Sequence, residues 1–115
     1  MTTAIGARMP RRDRSAQQLR SEIVDLAELQ DVIERTYGHH DRARGVPGTV
    51  AWLAEETGEL AQAVRKGTRA QIEHEFSDVL AWVATLANLV DVDLSVVVDR
   101  YRDGYPKCEN LPCTC

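Results

Sequence analysis

The chain has 115 residues, of which 43% are hydrophobic and 28% are charged, and its formal net charge is −4. This length suits one domain, and the acidic balance gives no indication of a nucleic-acid-binding surface. The sequence contains no run of about 18 apolar residues, so it predicts no membrane span. No apolar block follows the basic N-terminal stretch, so it predicts no secretory signal. We therefore expect a cytoplasmic protein with no membrane or nucleic-acid partner.

Composition and periodicity divide the chain into three regions. Residues 1–14 lack periodicity and are predicted to be a flexible N-terminal lead. Residues 15–105 carry helical patterns with no internal repeat, and residues 106–115 form a short tail. The predicted fold is all-α, an antiparallel bundle of four helices.

The first predicted helix starts at an N-cap at Ser15, runs to about Tyr37 and ends at Gly38, because apolar residues recur at three- and four-residue steps. Residues 39–48 are rich in turn-forming residues and are predicted to be a polar loop. The arginines and histidines of this loop are either phosphate contacts or solvated charges, and the sequence leaves both interpretations open.

The second predicted helix follows an N-cap at Thr49 and runs to about Lys66, with Gly67 just beyond its end. Gly58 lies inside it, where we expect another helix or a ligand to come close. The core stripe is predicted on the side opposite the glutamates, at Val50, Leu53, Leu60, Ala61 and Val64.

The third predicted helix is capped by Thr68 and spans about 69–90, and a fourth spans about 94–102 after a cap at Asp93 or Ser95. The third helix is apolar on most sides. So broad an apolar surface is excessive for a small monomer, and it predicts burial against a second copy of the chain.

Five carboxylates fall at helical spacings on the second and third helices: Glu55, Glu56, Glu59, Glu75 and Asp78. The last two share the face of an apolar stripe that should point into protein, where an ionised carboxylate is costly unless it is compensated. Few basic residues are near in sequence, and His74 is expected to be turned away. Two helices joined by a short turn lie antiparallel and in contact. The sequence therefore predicts a metal site between them.

Carboxylate oxygens facing one gap suit Mg²⁺ or Mn²⁺, with water completing the coordination shell. Zinc is disfavoured in this gap because no His or Cys stands at a matching spacing. A ferritin-type di-iron site needs Glu-x-x-His pairs, which the sequence lacks. For the acids of the second helix alone, a solvated charged face is the alternative.

The pattern Glu55-Glu56-x-x-Glu59 followed by Glu75-x-x-Asp78 resembles the signature of the MazG-type, all-α nucleotide pyrophosphohydrolases. The residues around both halves strengthen the resemblance, which covers roughly residues 19–105. That family hydrolyses nucleoside triphosphates, or their deoxy or modified forms, to the monophosphate and pyrophosphate. The resemblance implies a nucleotide substrate here, and assembly as a homodimer or homotetramer.

The resemblance also implies roles for individual acids. The ligands of Mg²⁺, or of Mn²⁺, would be Glu56, Glu59, Glu75 and Asp78. Glu55 would be a supporting acid that orients water or takes its proton, so Glu55 and Glu56 are the candidate catalytic residues.

Four further side chains are candidates for binding the nucleotide. Trp52, one turn before Glu56, offers an aromatic surface to a base or to a subunit interface. Lys66, Arg100 and Arg102 are candidates for the phosphates. Related proteins often place a lysine and an asparagine in the stretch that here carries the two arginines, and this departs from the family pattern.

All three cysteines, Cys108, Cys113 and Cys115, lie within the last eight residues. An odd number crowded at one end does not form a disulfide framework. They are either reduced residues of the tail or ligands of a metal such as zinc, with a fourth ligand from elsewhere. The resemblance does not extend to them.

Two other functions fit the same residues. One is a non-catalytic helical module, whose acids bind metal for structure or for contact with a partner protein. The other is a metal-dependent hydrolase acting on a different phosphorylated small molecule. The sequence predicts neither the base nor the sugar of a nucleotide substrate.

Overall fold

The computed structural model of the chain describes residues 24–115, which contain helices and no strand. The elements are α1 (Leu26–Lys66), α2 (Arg69–Leu89), α3 (Leu94–Val97) and a 3-10 helix (Val98–Tyr101). The prediction of an all-α fold is confirmed.

Helix α1 begins at Leu26 because Asp25 caps it, with its carboxylate accepting a hydrogen bond from the backbone N–H of Glu28 at 2.8 Å. Residues 24–25 are not helical, so the prediction of one helix running through them is wrong. The predicted N-cap at Ser15 and the predicted lead at residues 1–14 lie outside the described residues.

The predicted loop at residues 39–48 is wrong, because this segment is helical except at Gly45. Gly45 has φ 84° and ψ 174° and breaks α1 into an N-terminal part (26–44) and a C-terminal part (46–66). A positive φ favours glycine, which has no side chain to clash. Gly38, predicted to end the first helix, instead lies buried inside the N-terminal part.

Two residues at the start of the C-terminal part fit the break at Gly45. Pro47 lies in the first turn, where a missing N–H removes no helical hydrogen bond. Thr49, predicted to be the cap, is buried one turn further on, and its hydroxyl donates to the carbonyl of Gly45 at 2.8 Å.

The connection between α1 and α2 matches the prediction. Helix α1 ends at Lys66, and the N–H of Gly67 donates to the carbonyl of Ala63 at 2.7 Å. Thr68 and Gln71 form a reciprocal capping box at the start of α2. Because so few residues join the helices, the C-terminal part of α1 and α2 lie antiparallel and in contact.

The buried positions of the C-terminal part of α1 recur every seven residues: Thr49, Glu56 and Ala63. This buried face carries Glu56, whereas the core stripe was predicted on the side opposite the glutamates. The prediction of the core stripe is therefore wrong. Two of its members are half-buried and three are exposed: Leu53 and Leu60, then Val50, Ala61 and Val64. Several apolar side chains of the helix therefore face away from α2, and periodicity alone does not say which apolar face the partner helix takes.

On α2 the predicted inward stripe is confirmed. Its members are all half-buried: Glu75, Asp78, Val79, Trp82, Leu86 and Leu89. The most buried positions of α2 are small, namely Ala84, Thr85 and Ala87, which lets α1 approach closely. Phe76 remains 51% exposed.

The predicted fourth helix is shorter than expected, since only four residues of α3 are α-helical before the 3-10 helix follows. Asp93 is its cap, as predicted, and accepts a hydrogen bond from the N–H of Ser95 at 3.0 Å. The described residues therefore do not establish a bundle of four full-length helices.

No single helix of the described chain is long and apolar enough to cross a membrane. Helix α2 and Leu94–Tyr101 reach the required length and hydrophobicity only as a pair, and they are bent by 104°.

A Cβ added to Gly58 would meet no atom within 4 Å. The close approach predicted at this glycine is therefore not made by the described residues.

Gln30 fastens the N-terminal part of α1 to the end of α2. Its amide nitrogen donates to Asn88 Oδ1 at 3.0 Å and to the carbonyl of Val92 at 2.8 Å. Its amide oxygen accepts from the N–H of Leu94 at 2.8 Å. Asn88 Nδ2 returns a hydrogen bond to the backbone carbonyl of Gln30 at 3.0 Å. One side chain thus joins α1, α2 and the start of α3.

We expect Gln30→Ala to lower the free energy of unfolding by about 1 to 2 kcal/mol, because partly buried polar groups of three elements lose their partner. Urea denaturation followed by circular dichroism measures this change. The exposed Gln62→Ala on α1 is the control and should stay within about 0.5 kcal/mol of the parent. Equal stabilities for the two variants would contradict a structural role for Gln30.

Candidate active site

Four acids converge in the gap between the C-terminal part of α1 and α2; we call them the acid cluster: Glu56, Glu59, Glu75 and Asp78. Carboxylate oxygens of the first three lie within 4.8 Å of one another. Asp78 and Glu75 form a second such group with His74. The structure thus brings together, around Glu75, the four acids that the sequence assigned to a metal.

The acid cluster is partly withdrawn from water. Glu56 is only 9% exposed and the side chain of Glu75 is 16% exposed. One oxygen of each, Oε2, is buried and has no hydrogen-bond partner among the described residues. Buried polar atoms normally have a partner, so two such oxygens in one gap fit a site for a cation.

Burial raises the pKa of Glu56, and the neighbouring charges of Glu59 and Asp78 raise it further. Burial also raises the pKa of Glu75, again with help from Glu59 and Asp78, while His74 opposes the shift. Both effects disfavour the ionised form, so without a cation the cluster is held together against its own repulsion. A divalent cation bound by the carboxylate oxygens would offset both the burial of the charges and the repulsion between them.

His74 contradicts the expectation that it turns away from the acids. Its Nε2 lies 3.2 Å from Asp78 Oδ2 and 3.9 Å from Glu75 Oε1. The four-residue spacing from His74 to Asp78 places the two side chains on one face of α2, where the exposed imidazole can reach the carboxylate. A protonated His74 adds a positive charge at the edge of the cluster.

A cavity of about 520 Å³ opens beside the acid cluster, lined by Glu59, Gln62, Ala63, Lys66, Gly67, Gln71 and Glu75. It carries two acids of the cluster and the ammonium of Lys66 at the end of α1. The sequence candidate Lys66 therefore lies where it can meet an anion held next to the acids.

Trp52 lies on the other side of the acids, one turn before Glu56, and stacks on Trp82 with ring centroids 5.7 Å apart and planes 7° apart. The guanidinium of Arg44 sits 4.7 Å from the centre of the Trp82 ring. One face of Trp52 is thus occupied within the chain, while the residue remains partly exposed.

The remaining candidates lie outside the acid cluster. Glu55 is exposed and belongs to neither group of converging carboxylates. Arg100 lies over the ring of Tyr101, with 5.3 Å between Cζ and the ring centre, and Arg102 pairs with Asp99. The described contacts of these arginines are with their own 3-10 helix, and neither lines the cavity beside the acids.

Sequence reasoning missed a buried polar group that supports the gap. Asp41, 4% exposed, pairs with Arg44 Nη2 at 2.8 Å and accepts a hydrogen bond from Thr85 Oγ1 of α2 at 3.2 Å. Arg44 also reaches Thr49 Oγ1 at 3.3 Å. The three-residue spacing of Asp41 and Arg44 was the available signal, because it places an ion pair on one helix face. Arg42, the neighbouring arginine, takes no part in this buried group and pairs with Glu34.

A comparison with protein families matches residues 45–107 to the model of the MazG nucleotide pyrophosphohydrolase domain. The matched segment is more than half of the chain. This chain belongs to the MazG family. No curated protein matches it significantly.

The MazG match begins at Gly45, the residue that breaks α1, and it contains the whole acid cluster and the cavity. The N-terminal part of α1 lies before it and the three cysteines lie after it. Membership confirms the resemblance and indicates nucleotide pyrophosphohydrolase activity. The residues of the cluster fit the divalent metal that such chemistry uses, since two of their buried oxygens have no partner among residues 24–115.

The raised pKa values predict how the metal-free MazG domain responds to pH. Folding favours the protonated form of Glu56 and Glu75, so their contribution is complete below the ordinary value of 4.5 and is lost as pH rises through the raised values. In chelator, we expect Glu75→Gln to become progressively more stable than the parent as pH rises above the ordinary glutamate value of 4.5.

Thermal denaturation across that pH range measures the difference. The control is Glu73→Gln, because Glu73 lies on the same helix, 65% exposed, in a surface ion pair with Arg69. Its pH dependence should follow the parent. Parallel curves for the parent and Glu75→Gln would mean that the cluster stores no repulsion.

Proposed function

We propose that this chain is a nucleoside triphosphate pyrophosphohydrolase that releases the nucleoside monophosphate and pyrophosphate and depends on Mg²⁺, or on Mn²⁺ in its place. The observation that carries the proposal is the pair of buried, unpartnered oxygens of Glu56 and Glu75 inside a cluster of four acids. Family membership supports the reaction class.

The metal would be held by the acid cluster, two ligands from each helix. When bound, it neutralises phosphate charge and makes a coordinated water a better nucleophile. The protein's part is to present carboxylates from two antiparallel helices that lie in contact. Because the empty cluster is negative, it repels a free triphosphate and favours the metal complex of the nucleotide.

The cavity beside the cluster suits the polyphosphate. Its volume of about 520 Å³ falls in the range of about 300 to 1,000 Å³ usual for small-molecule sites. Lys66 supplies a cation, and the amides of Gln62 and Gln71 supply hydrogen-bond donors. We assign Lys66 to the phosphates on this basis.

Glu55 and Glu56 keep different candidate roles in this proposal. Glu56 is buried in the cluster, where it would hold the metal next to the reacting phosphates. Glu55 is exposed on the next position of the helix, where a solvated carboxylate can accept a proton from water. The partly exposed Trp52 remains the candidate surface for a base or for a subunit contact.

The hydrolysis test is a panel of nucleoside and deoxynucleoside triphosphates, with product analysis that separates pyrophosphate from orthophosphate. We expect the parent to release pyrophosphate with Mg²⁺ and none in chelator. Asp78→Asn should lower kcat/KM by about a thousandfold, because a metal ligand is lost. Glu73→Gln on the same helix should keep the parental rate.

The outcomes separate the proposal from its rivals. If no triphosphate is cleaved and Mg²⁺ still raises the melting temperature of the parent but not of Asp78→Asn, the acids belong to a non-catalytic metal-binding module. Orthophosphate as the first product, or cleavage of other phosphorylated compounds only, would indicate a different hydrolase.

We also propose that a second copy of the chain covers the apolar side chains that face away from the gap. Val64 is 56% exposed on α1 and Phe76 is 51% exposed on α2, and other large apolar residues accompany them. Such surface is unusual for a monomer. A homodimer, or a homotetramer built from dimers, would bury it.

Val64→Glu should reduce the assembly to one chain, because it places a charge in the proposed contact. Light scattering coupled to size exclusion gives the mass. Gln62→Glu, which adds the same charge two residues away, should leave the assembly intact. A monomeric parent, with residues 1–23 protecting the apolar side chains from solvent, would overturn the proposal.

A further inference from the structure

The last residues of the chain bring all three cysteines together. The Sγ atoms of Cys108, Cys113 and Cys115 lie within 4.8 Å of one another. The first two are 3.8 Å apart, and all three thiols are free. This thiol cluster lies beyond the segment matched to the MazG family and takes no part in the function proposed above.

The loop that carries the thiols is held closed by its own backbone. The N–H of Tyr105 donates to the carbonyl of Asn110 at 3.3 Å, and the N–H of Glu109 donates back to Tyr105 at 2.6 Å. Asn110 Nδ2 donates to Thr114 Oγ1 at 2.6 Å. Gly104, with φ 114°, lets the loop press against it: a Cβ there would lie 2.3 Å from the carbonyl oxygen of Asn110. The thiols therefore converge because the loop is folded.

Cys108 is the least exposed of the three thiols, whereas Cys113 and Cys115 are exposed. Thiolate sulfur is the form of cysteine that binds metals. The loop therefore presents three sulfur donors at one place, two of them open to solvent.

The sulfurs are not bonded to one another, and their separation is compatible with a shared metal. Two thiolates on one tetrahedral zinc, each at about 2.3 Å, lie about 3.8 Å apart. Cys108 and Cys113, which lie 3.8 Å apart as a hydrogen-bonded pair of thiols, could bind one ion without moving apart. Three soft sulfur donors also select zinc over the hard cations that suit carboxylates.

We propose that Cys108, Cys113 and Cys115 bind one Zn²⁺ per chain, with the fourth position open to water or to a donor from outside the loop. The spacing is Cys-x4-Cys-x-Cys. Because Cys113 and Cys115 are exposed, the ion can enter without unfolding the helical domain. The chain then carries two metal sites of opposite chemistry, a hard one between the helices and a soft one in the tail.

The test uses the full chain, reduced and freed of metal. Zinc is titrated against a chromophoric chelator, and Co²⁺ replaces it as a spectroscopic probe. We expect one equivalent of zinc and a sulfur-to-cobalt charge-transfer band. The triple change of the cysteines to serine should remove the band and weaken zinc binding by more than about a hundredfold.

Two matched variants locate the site. Glu75→Gln alters the acid cluster alone and should keep the band and the affinity. Thr114→Ser keeps a hydroxyl next to the thiols and should also behave as the parent. Reactivity of the parental thiols toward a disulfide reagent gives a readout without any substitution: zinc should slow it about tenfold or more, and Mg²⁺ should not.

Several results would overturn the proposal. Zinc affinity unchanged in the triple variant would place the ion at the acid cluster. A missing charge-transfer band, or thiols equally reactive with and without zinc, would show that the sulfurs do not bind it. Rapid oxidation to a Cys108–Cys113 disulfide with no zinc uptake by the reduced chain would assign the loop to redox chemistry instead. None of these results depends on triphosphate hydrolysis.

Discussion

The structure of the helical domain depends on placing like charges together between two helices. Glu56 and Glu75 are largely buried, and one oxygen of each has no partner in the described part of the chain. Glu59 and Asp78 add their charges at close range. Burial and repulsion both oppose ionisation, so this gap costs free energy in the metal-free chain. A divalent cation bound by these acids would offset that cost.

Contacts beyond one end of the gap keep the two helices in place. Asp41, Arg44 and Thr85 form a buried polar group joining α1 to α2, and the stacked tryptophans lie between this group and the acids. Gln30 fastens the far end of α2 through two hydrogen bonds with Asn88, and the following residues through Val92 and Leu94. These interactions lie on the side of the acids away from the cavity.

The sequence was informative where a signal is local. The end of α1 at Lys66, the Thr68 capping box and the Asp93 cap were predicted because their hydrogen bonds involve residues three or four apart. The acids converge as predicted because two helices joined by so short a connection have one way to pack. His74 was misplaced because the four-residue spacing to Asp78 was overlooked.

Other features depended on tertiary contacts. Residues 39–44 look like a loop, yet burial of Asp41 against Arg44 and Thr85 keeps them helical. The core face of the C-terminal part of α1 was misassigned because the helix has more than one apolar face, and only the position of α2 decides which is buried within the chain. Gly45 was one of several glycines in a turn-rich stretch, and no local pattern singled it out as the break.

The tryptophan stack has a practical consequence for studying the domain. The chain contains two tryptophans, and both take part in the stack, one helical turn from Glu56 and Asp78 respectively. Intrinsic indole emission therefore comes entirely from beside the acids, with no background from elsewhere in the chain. The protein carries its own optical probe of events in the gap, and no dye or label needs to be attached to observe them.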